Sequence, residues 1–600
     1  MMLSRIFAGT VVCQLLFCTY AVSYDTLHVE ASLDTLAREI IGKVLYRLPD
    51  NSRLATVELQ LFANLYASED SPYLRARPHY LERLRNSGGW GGMHIDSIFL
   101  DEKNLSNKFS VALTRGVLDP GVEVAVGGRL LTAYFTTAIP EIGDRLSSFD
   151  GEFLLDGWFP APAILSAEGE WYNPDYGPFA ELVGDFHIYD IYFTAPETYV
   201  TVAPVPPELI ASKDGMKTCR YTFGPAHDFA LALSPHYLTD SVVIGGTKFR
   251  YYYREYEEPI LERIKTAVHQ AYQYMSEKVG PYRYSHLSFA FAGTAMSGGV
   301  EFPAMAGLSS PKGGIMASRF YDYMVTHEAV HQWFYGMVAS DQVLEPWMDE
   351  AIATFFTNRI FLHYRGGRAN LFNLAGFEFS GTDYLRISLR HASDKGSINR
   401  PASMFMNEGD YFGVVYFRGA LAVETLDNLL GDSLSGIFWQ TYFERYCFKR
   451  GASDDFVGLV EEVGGAAIRQ HAEELFSGSG QVDYAVEELS NRSTDSGAIE
   501  TTFTLTRKGP LSAPADYILV LYNGDTLQYR WEPAQYAERI SLQVQSPAVE
   551  AIIDPENKIA VDVNLLNNSL SISSDGRPGA RLASGVMFLV ESLLSLLGGW

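Results

Sequence analysis

Residues 319–338 read RFYDYMVTHEAVHQWFYGMV, a proline-free stretch with two histidines four apart and a glutamate beside the first. Four residues make about one helical turn, so on a helix His327 and His331 project from one face and two imidazoles can reach one ion. Glu328 is rotated about 100° from His327, which sets it beside such an ion rather than on it, where a carboxylate can act as base toward a metal-activated water. The stretch predicts a helix that continues until it meets Gly336. A catalytic Zn²⁺ needs a third protein ligand and an open fourth position. Glu350 follows His331 after 18 intervening residues, within LEPWMDEAIATFF, which reads as the next helix. Two helices must then pack with these side chains converging.

Chance explains the pattern poorly. With 13 histidines in 600 residues, a random His-Glu-x-x-His arises in roughly one such chain in fifty, and a glutamate at a fixed downstream distance cuts that about tenfold. A structural zinc site closes with four protein ligands and favours cysteine, and no cysteine lies near.

At 600 residues the chain is long enough for several cores. Its 47% hydrophobic and 20% charged content is that of a folded globular protein. The net charge of −26, from 46 Lys+Arg against 72 Asp+Glu, provides no basic stripe to neutralise phosphates, so nucleic-acid binding is not expected. The N-terminus carries Arg5 and then IFAGTVVCQLLFCTYAVS, a pattern expected of a secretory signal over 1–23, with an uncleaved anchor as the alternative. Either exports the chain to a periplasmic, extracellular or membrane-associated location. Val12 and Phe17 precede Cys13 and Cys18, where a lipoprotein signal wants a small residue. Cys219 and Cys447 would then be the cysteines of the mature chain, so disulfides are not its main staple.

The expected class is a multidomain α+β chain. Residues 24–250 alternate in short runs such as FHIYDIYFTAP and read as an N-terminal β-rich domain. From 251 to 476 the spacing turns helical, with Ile260, Ile264, Val268, Ala271 and Met275 on one face before Gly280. FSGSGQ, residues 476–481, reads as a linker, and 482–566 reads as a small C-terminal β-sandwich. Residues 582–600 form an apolar helical pattern for which three placements compete: docked on the protein, lying at a membrane surface, or spanning a membrane.

HEAVHQWFYGMVASDQVLEPWMDEAIATFF, residues 327–356, resembles the zinc-binding segment of the aminopeptidase N family of gluzincin metallopeptidases, including Gln332-Trp333. SGGVEFPAMAGLS resembles the family's exopeptidase element, VVYFRGALAVETLDNLLG its catalytic-tyrosine segment, and DPENKIAVDVNLLNNS the end of its sandwich domain in some bacterial members. The resemblance runs from about 187 to 569. It implies a thermolysin-like, mainly helical zinc peptidase domain over 251–476 and one zinc per chain, held by His327, His331 and Glu350. It implies Glu328 as general base, Glu301 as the group that binds the substrate's α-ammonium, and Tyr416 as donor to the tetrahedral oxyanion, with Tyr411 as the alternative donor. Val300, Phe302 and Arg418 depart from the family pattern and bear on substrate preference rather than on zinc. Many members also carry a large helical C-terminal domain, and the expectation here is a more open cleft.

The implied function is a zinc-dependent aminopeptidase acting on peptides or unfolded chains, with membrane-surface contact through 582–600 as a further expectation. The alternatives are a zinc endopeptidase with an open cleft and a non-catalytic, surface-bound peptide-binding protein. In many members the first domain supplies a second amine-binding acid, which no local pattern in 24–186 identifies.

Overall fold

The computed structural model describes residues 24–573 apart from 50–52, 122–123, 126–127, 143, 167, 180, 293–297, 311–314, 367–370, 375–376, 390–391 and 495–497, together with Met587. The expected signal segment 1–23 and, Met587 apart, the apolar helix of 582–600 lie outside the described residues.

Alternation in the first part of the chain becomes strand. His187–Pro196 buries His187, Tyr189, Ile191, Phe193 and Ala195 and turns the residues between them outward, the period-2 pattern of a sheet with one packed face. It joins an eight-stranded sheet in the order Glu208–Lys213, Met216–Ala226, His187–Pro196, Thr26–Asp34, Glu39–Arg47, Leu130–Ala138, Gly92–Leu100, Lys103–Asn104. Thr26–Asp34 pairs with His187–Pro196 in parallel, and the other neighbours pair antiparallel.

A second sheet of five strands carries the site's edge. Its order is Leu238–Ile244, Thr247–Tyr253, His286–Phe291, Met305–Leu308, Gly299–Phe302. The change of periodicity near 251 therefore falls inside this sheet, because alternation marks a strand without saying which sheet it will join. Helix Glu258–Lys278 follows, burying Leu261, Ile264, Val268, Ala271 and Met275. Ile260 is only half-buried, and Leu261 beside it is buried, so the stripe widens at its start while the other expected positions hold. The helix stops two residues short of Gly280, where any Cβ would stand 2.4 Å from the Phe443 ring, so the close approach requires glycine.

The helical layer consists of Ile315–Val330, Trp347–Arg365, Gly419–Tyr446 with a break at Gly431 (φ 70°), Ser453–Gly464 and Ala466–Ser477. Trp333 and Trp347 are fully buried in it. Beyond it, sheets of three strands (Tyr484–Ser493, Ile499–Arg507, Ala537–Val544) and four strands (Thr526–Trp531, Ala515–Leu521, Ala548–Ile553, Ser569–Ser571) form the last β unit. It meets the helical layer where Thr425 Oγ1 accepts from the Val561 amide, and where Asn428 and Arg386 donate to the carbonyls of Lys558 and Ala560. Cys219 and Cys447 are free thiols. Among the described residues no helix is long and apolar enough to cross a membrane.

Candidate active site

The helix bearing His327 ends at Val330 rather than at Gly336. His331 keeps an α-type bond, its amide donating to the His327 carbonyl at 3.1 Å, while the amides of Trp333 and Phe334 both donate to the Val330 carbonyl, at 2.9 and 3.4 Å. Tyr335, at φ 124°, turns the chain away, a conformation disfavoured for a bulky side chain. Both histidines keep their one-turn spacing although the helix is shorter than its pattern predicts.

His327 Nε2 and His331 Nε2 are 3.0 Å apart, and Glu350 Oε2 is 3.1 Å from the first and 3.4 Å from the second. Ligands about 2.0–2.1 Å from a tetrahedral Zn²⁺ stand about 3.3 Å from one another, so these three atoms fit that ion. Glu350 comes from helix Trp347–Arg365, one turn from its start. Burial alone would raise its carboxyl, but the hydrogen bonds with His327 and His331 hold it well below the usual carboxylate range. His327 is lowered, first by burial and then by the neighbouring His331. His331 is raised despite its burial, because Asp349 and Glu350 both face it. Binding of a dication would release that proton.

Behind the ligands is a residue that the sequence pattern does not single out. His331 Nδ1 donates to the Phe334 carbonyl at 3.1 Å and lies 2.7 Å from Asp349 Oδ1. The carbonyl takes the hydrogen bond and the carboxylate adds charge, so the ring is held with Nε2 toward the ligand cluster. Burial lifts the Asp349 carboxyl to about 6. An acid beside the ligand Glu350 was the available signal, but nothing local says which histidine it meets.

Glu328 lies against the edge strand Gly299–Phe302. A Cβ on Gly299 would stand 2.3 Å from Glu328 Oε1 and 2.4 Å from its Cδ and Cγ. Gln332, four residues after Glu328, ties this strand to its neighbour, its Nε2 donating to the carbonyls of Phe302 and Met305 at 3.2 Å each. Glu328 Oε2 is buried with no hydrogen-bond partner. Burial first, then the charge of Glu301, pushes its carboxyl well above the ordinary range. One oxygen of Glu328, one of Glu301 and one ring nitrogen of His331 lie within 4.8 Å of one another.

Glu301 pairs across the edge strand with Ala306 and is buried. Its Oε1 accepts from Arg145 Nη2 at 2.9 Å, and the same nitrogen reaches Glu181 Oε2. Burial would raise Glu301, but Arg145 and then His331 hold it at about 2. Arg145 and Glu181 lie 156 and 120 positions before Glu301 in the chain, a separation that carries no local sequence signal.

Tyr416 sits in a π-helical turn, Phe412–Arg418, that leads into helix Gly419–Tyr446. Such wide turns recur at functional sites, and this one has no proline to announce it. The Tyr416 hydroxyl donates to Glu350 Oε1 and its ring stacks 6.0 Å from that of His327. Tyr411 stacks on Phe179 at 5.3 Å, and its buried hydroxyl has no hydrogen-bond partner. The structure thus brings together all six residues named from the sequence, with Asp349, Arg145 and Glu181 in addition.

Residues 315–476 match the family description Peptidase family M1 domain. The chain is 26% identical over 205 residues to an aminopeptidase A of Gloydius brevicauda and 24% identical over 208 residues to a glutamyl aminopeptidase of Bitis rhinoceros. Each match covers 33% of this chain and 20% of the relative, so it spans a fifth of the relatives' length. Aminopeptidase A of Legionella pneumophila, solved in complex with aspartic acid, superposes with a TM-score of 0.66 at 12% identity, covering 90% of this chain and 59% of that one. An M1 zinc metallopeptidase of Deinococcus radiodurans, solved as a mutant bound to a Tyr-Ser-Ala substrate, gives a TM-score of 0.52 at 14% identity, covering 76% and 94%. These solved structures share the fold.

Proposed function

We propose, from the match of residues 315–476 to the Peptidase family M1 domain, that the chain is a zinc-dependent aminopeptidase removing the N-terminal residue of peptides or unfolded chains. The observation that carries the exopeptidase part is the pair of carboxylates, buried Glu301 and half-buried Glu181, next to the His327, His331 and Glu350 cluster. A fixed anionic receptor at that distance suits a free α-ammonium and so sets the peptide's register. The aminopeptidase names of the relatives support the same activity.

His327, His331 and Glu350 would hold the zinc, which when bound acts as a Lewis acid toward the scissile carbonyl and lowers the pKa of water. Glu328, with one buried oxygen free of any donor, takes the proton of the attacking water and returns it to the leaving amine. Burial keeps the Tyr416 phenol protonated, so its hydroxyl can turn from Glu350 to donate to the developing oxyanion. Asp349 and the Phe334 carbonyl keep the His331 ring in place. Glu301 and Glu181 receive the ammonium. Export, suggested by the apolar segment 1–23, and membrane contact through 582–600 belong to the same proposal.

The test combines metal analysis with aminoacyl fluorogenic substrates and their N-acetylated forms. Release that is abolished by a chelator, restored by zinc and strongly dependent on a free amine supports the proposal. Equal cleavage of acetylated peptides would instead make the chain a zinc endopeptidase.

A further inference from the structure

Arg145 enters the site from the N-terminal part of the chain, immediately before strand Leu146–Phe149. Its Nη2 donates to both Glu301 Oε1 and Glu181 Oε2, and its Nη1 lies 3.7 Å from Asp156 Oδ2. The Arg145 side chain is 15% exposed, against 5% for that of Glu301, 19% for Glu181 and 0% for Asp156. Oxygens of Glu181, Glu301 and Asp349 lie within 4.8 Å of one another. Acids this close and this buried repel strongly unless a cation is fixed between them.

Resting on the aminopeptidase assignment above, we propose that Arg145 is a positioning residue for amine recognition. Its one shared nitrogen ties Glu181 to Glu301, making the two carboxylates a single receptor whose other oxygens take the substrate's α-ammonium. The geometry favours this role: one guanidinium faces three acids, Glu181, Glu301 and Asp156, and an arriving ammonium is a second cation that can share their remaining oxygens. Arginine suits the task because it cannot lose its proton and its planar fork reaches Asp156 while Nη2 holds the pair. A merely structural ion pair would support the fold without regard to what the substrate carries at its N-terminus.

The experiment measures KM and kcat for a free-amine aminoacyl substrate and its N-acetylated form in the wild type, Arg145→Gln, Arg145→Lys, Glu181→Gln and the double variant Arg145→Gln/Glu181→Gln, with zinc content determined for each. Arg145→Gln is expected to keep its zinc, to raise KM for the free amine by roughly ten- to a hundredfold, more than kcat falls, and to change the acetylated substrate by less than about twofold. Arg145→Lys, which retains a buried cation, should recover most of the preference for the free amine. Arg145→Gln/Glu181→Gln should be no worse than the worse single variant, since both break one receptor. Equal losses on both substrates, an unchanged preference in Arg145→Gln, an Arg145→Lys as poor as Arg145→Gln, or additive losses in the double variant would each overturn the role of Arg145. A wild type with no preference for free amines would instead overturn the aminopeptidase assignment, leaving the two failures distinguishable.

Discussion

Replacing Gly299 with alanine tests the contact between the edge strand and Glu328, the proposed general base, without touching any proposed ligand. The new Cβ would stand 2.3 Å from Glu328 Oε1 and 2.4 Å from its Cδ and Cγ. Ordinary contact begins near 3.4 Å, so something must move by about 1 Å. The strand is the stiffer partner, because Gln332 holds the carbonyls of Phe302 and Met305 at 3.2 Å and the strand is paired to Met305–Leu308. Glu328 therefore yields. A misplacement of about 1 Å in a catalytic group costs on the order of a hundredfold in rate, and the overpacking itself costs about 1–3 kcal/mol of stability. Gly299→Ala is expected to bind zinc at wild-type stoichiometry and to lose about a hundredfold in kcat with a smaller change in KM. Steady-state kinetics with an aminoacyl fluorogenic substrate, alongside metal analysis, checks both. A folded, zinc-loaded Gly299→Ala with kcat within about twofold of wild type would refute the reasoning, since the base would then tolerate displacement or lie elsewhere.

Changing His327, His331 or Glu350 to Ala should remove zinc and activity together, because two protein ligands rarely hold the ion; full metal occupancy in any of them identifies a wrong ligand. Asp349→Ala leaves the ligand atoms but removes the charge 2.7 Å from His331 Nδ1, so zinc affinity should fall about ten- to a hundredfold in a chelator competition, and an unchanged affinity would deny the carboxylate that part. Tyr416→Phe should retain zinc and lower kcat by roughly two to three orders of magnitude at nearly constant KM. A loss confined to KM would argue against the oxyanion role and redirect attention to Tyr411.

The clustering of His327, His331 and Glu350 was legible because its geometry is local: four residues are one helical turn whatever surrounds them, and a helix beginning near Trp347 brings Glu350 back across a short connection. Strand alternation such as that of His187–Pro196 was legible for the same reason, since the pleat imposes its period on each strand separately. What escaped the sequence are features that arise where distant segments meet. Periodicity near 251 could not say that Leu238–Ile244 and Thr247–Tyr253 join the sheet bearing Glu301. Nor could it show that the histidine helix gives way to a turn after Val330, or that a wide π turn aims Tyr416 at Glu350. Arg145 and Glu181 reach Glu301 across more than a hundred residues, and their meeting depends on how the segments around 145 and 181 pack against the strand bearing Glu301. Periodicity encodes which face of an element is buried, but the partner across that face is chosen by packing, where shape and charge are satisfied among many segments at once.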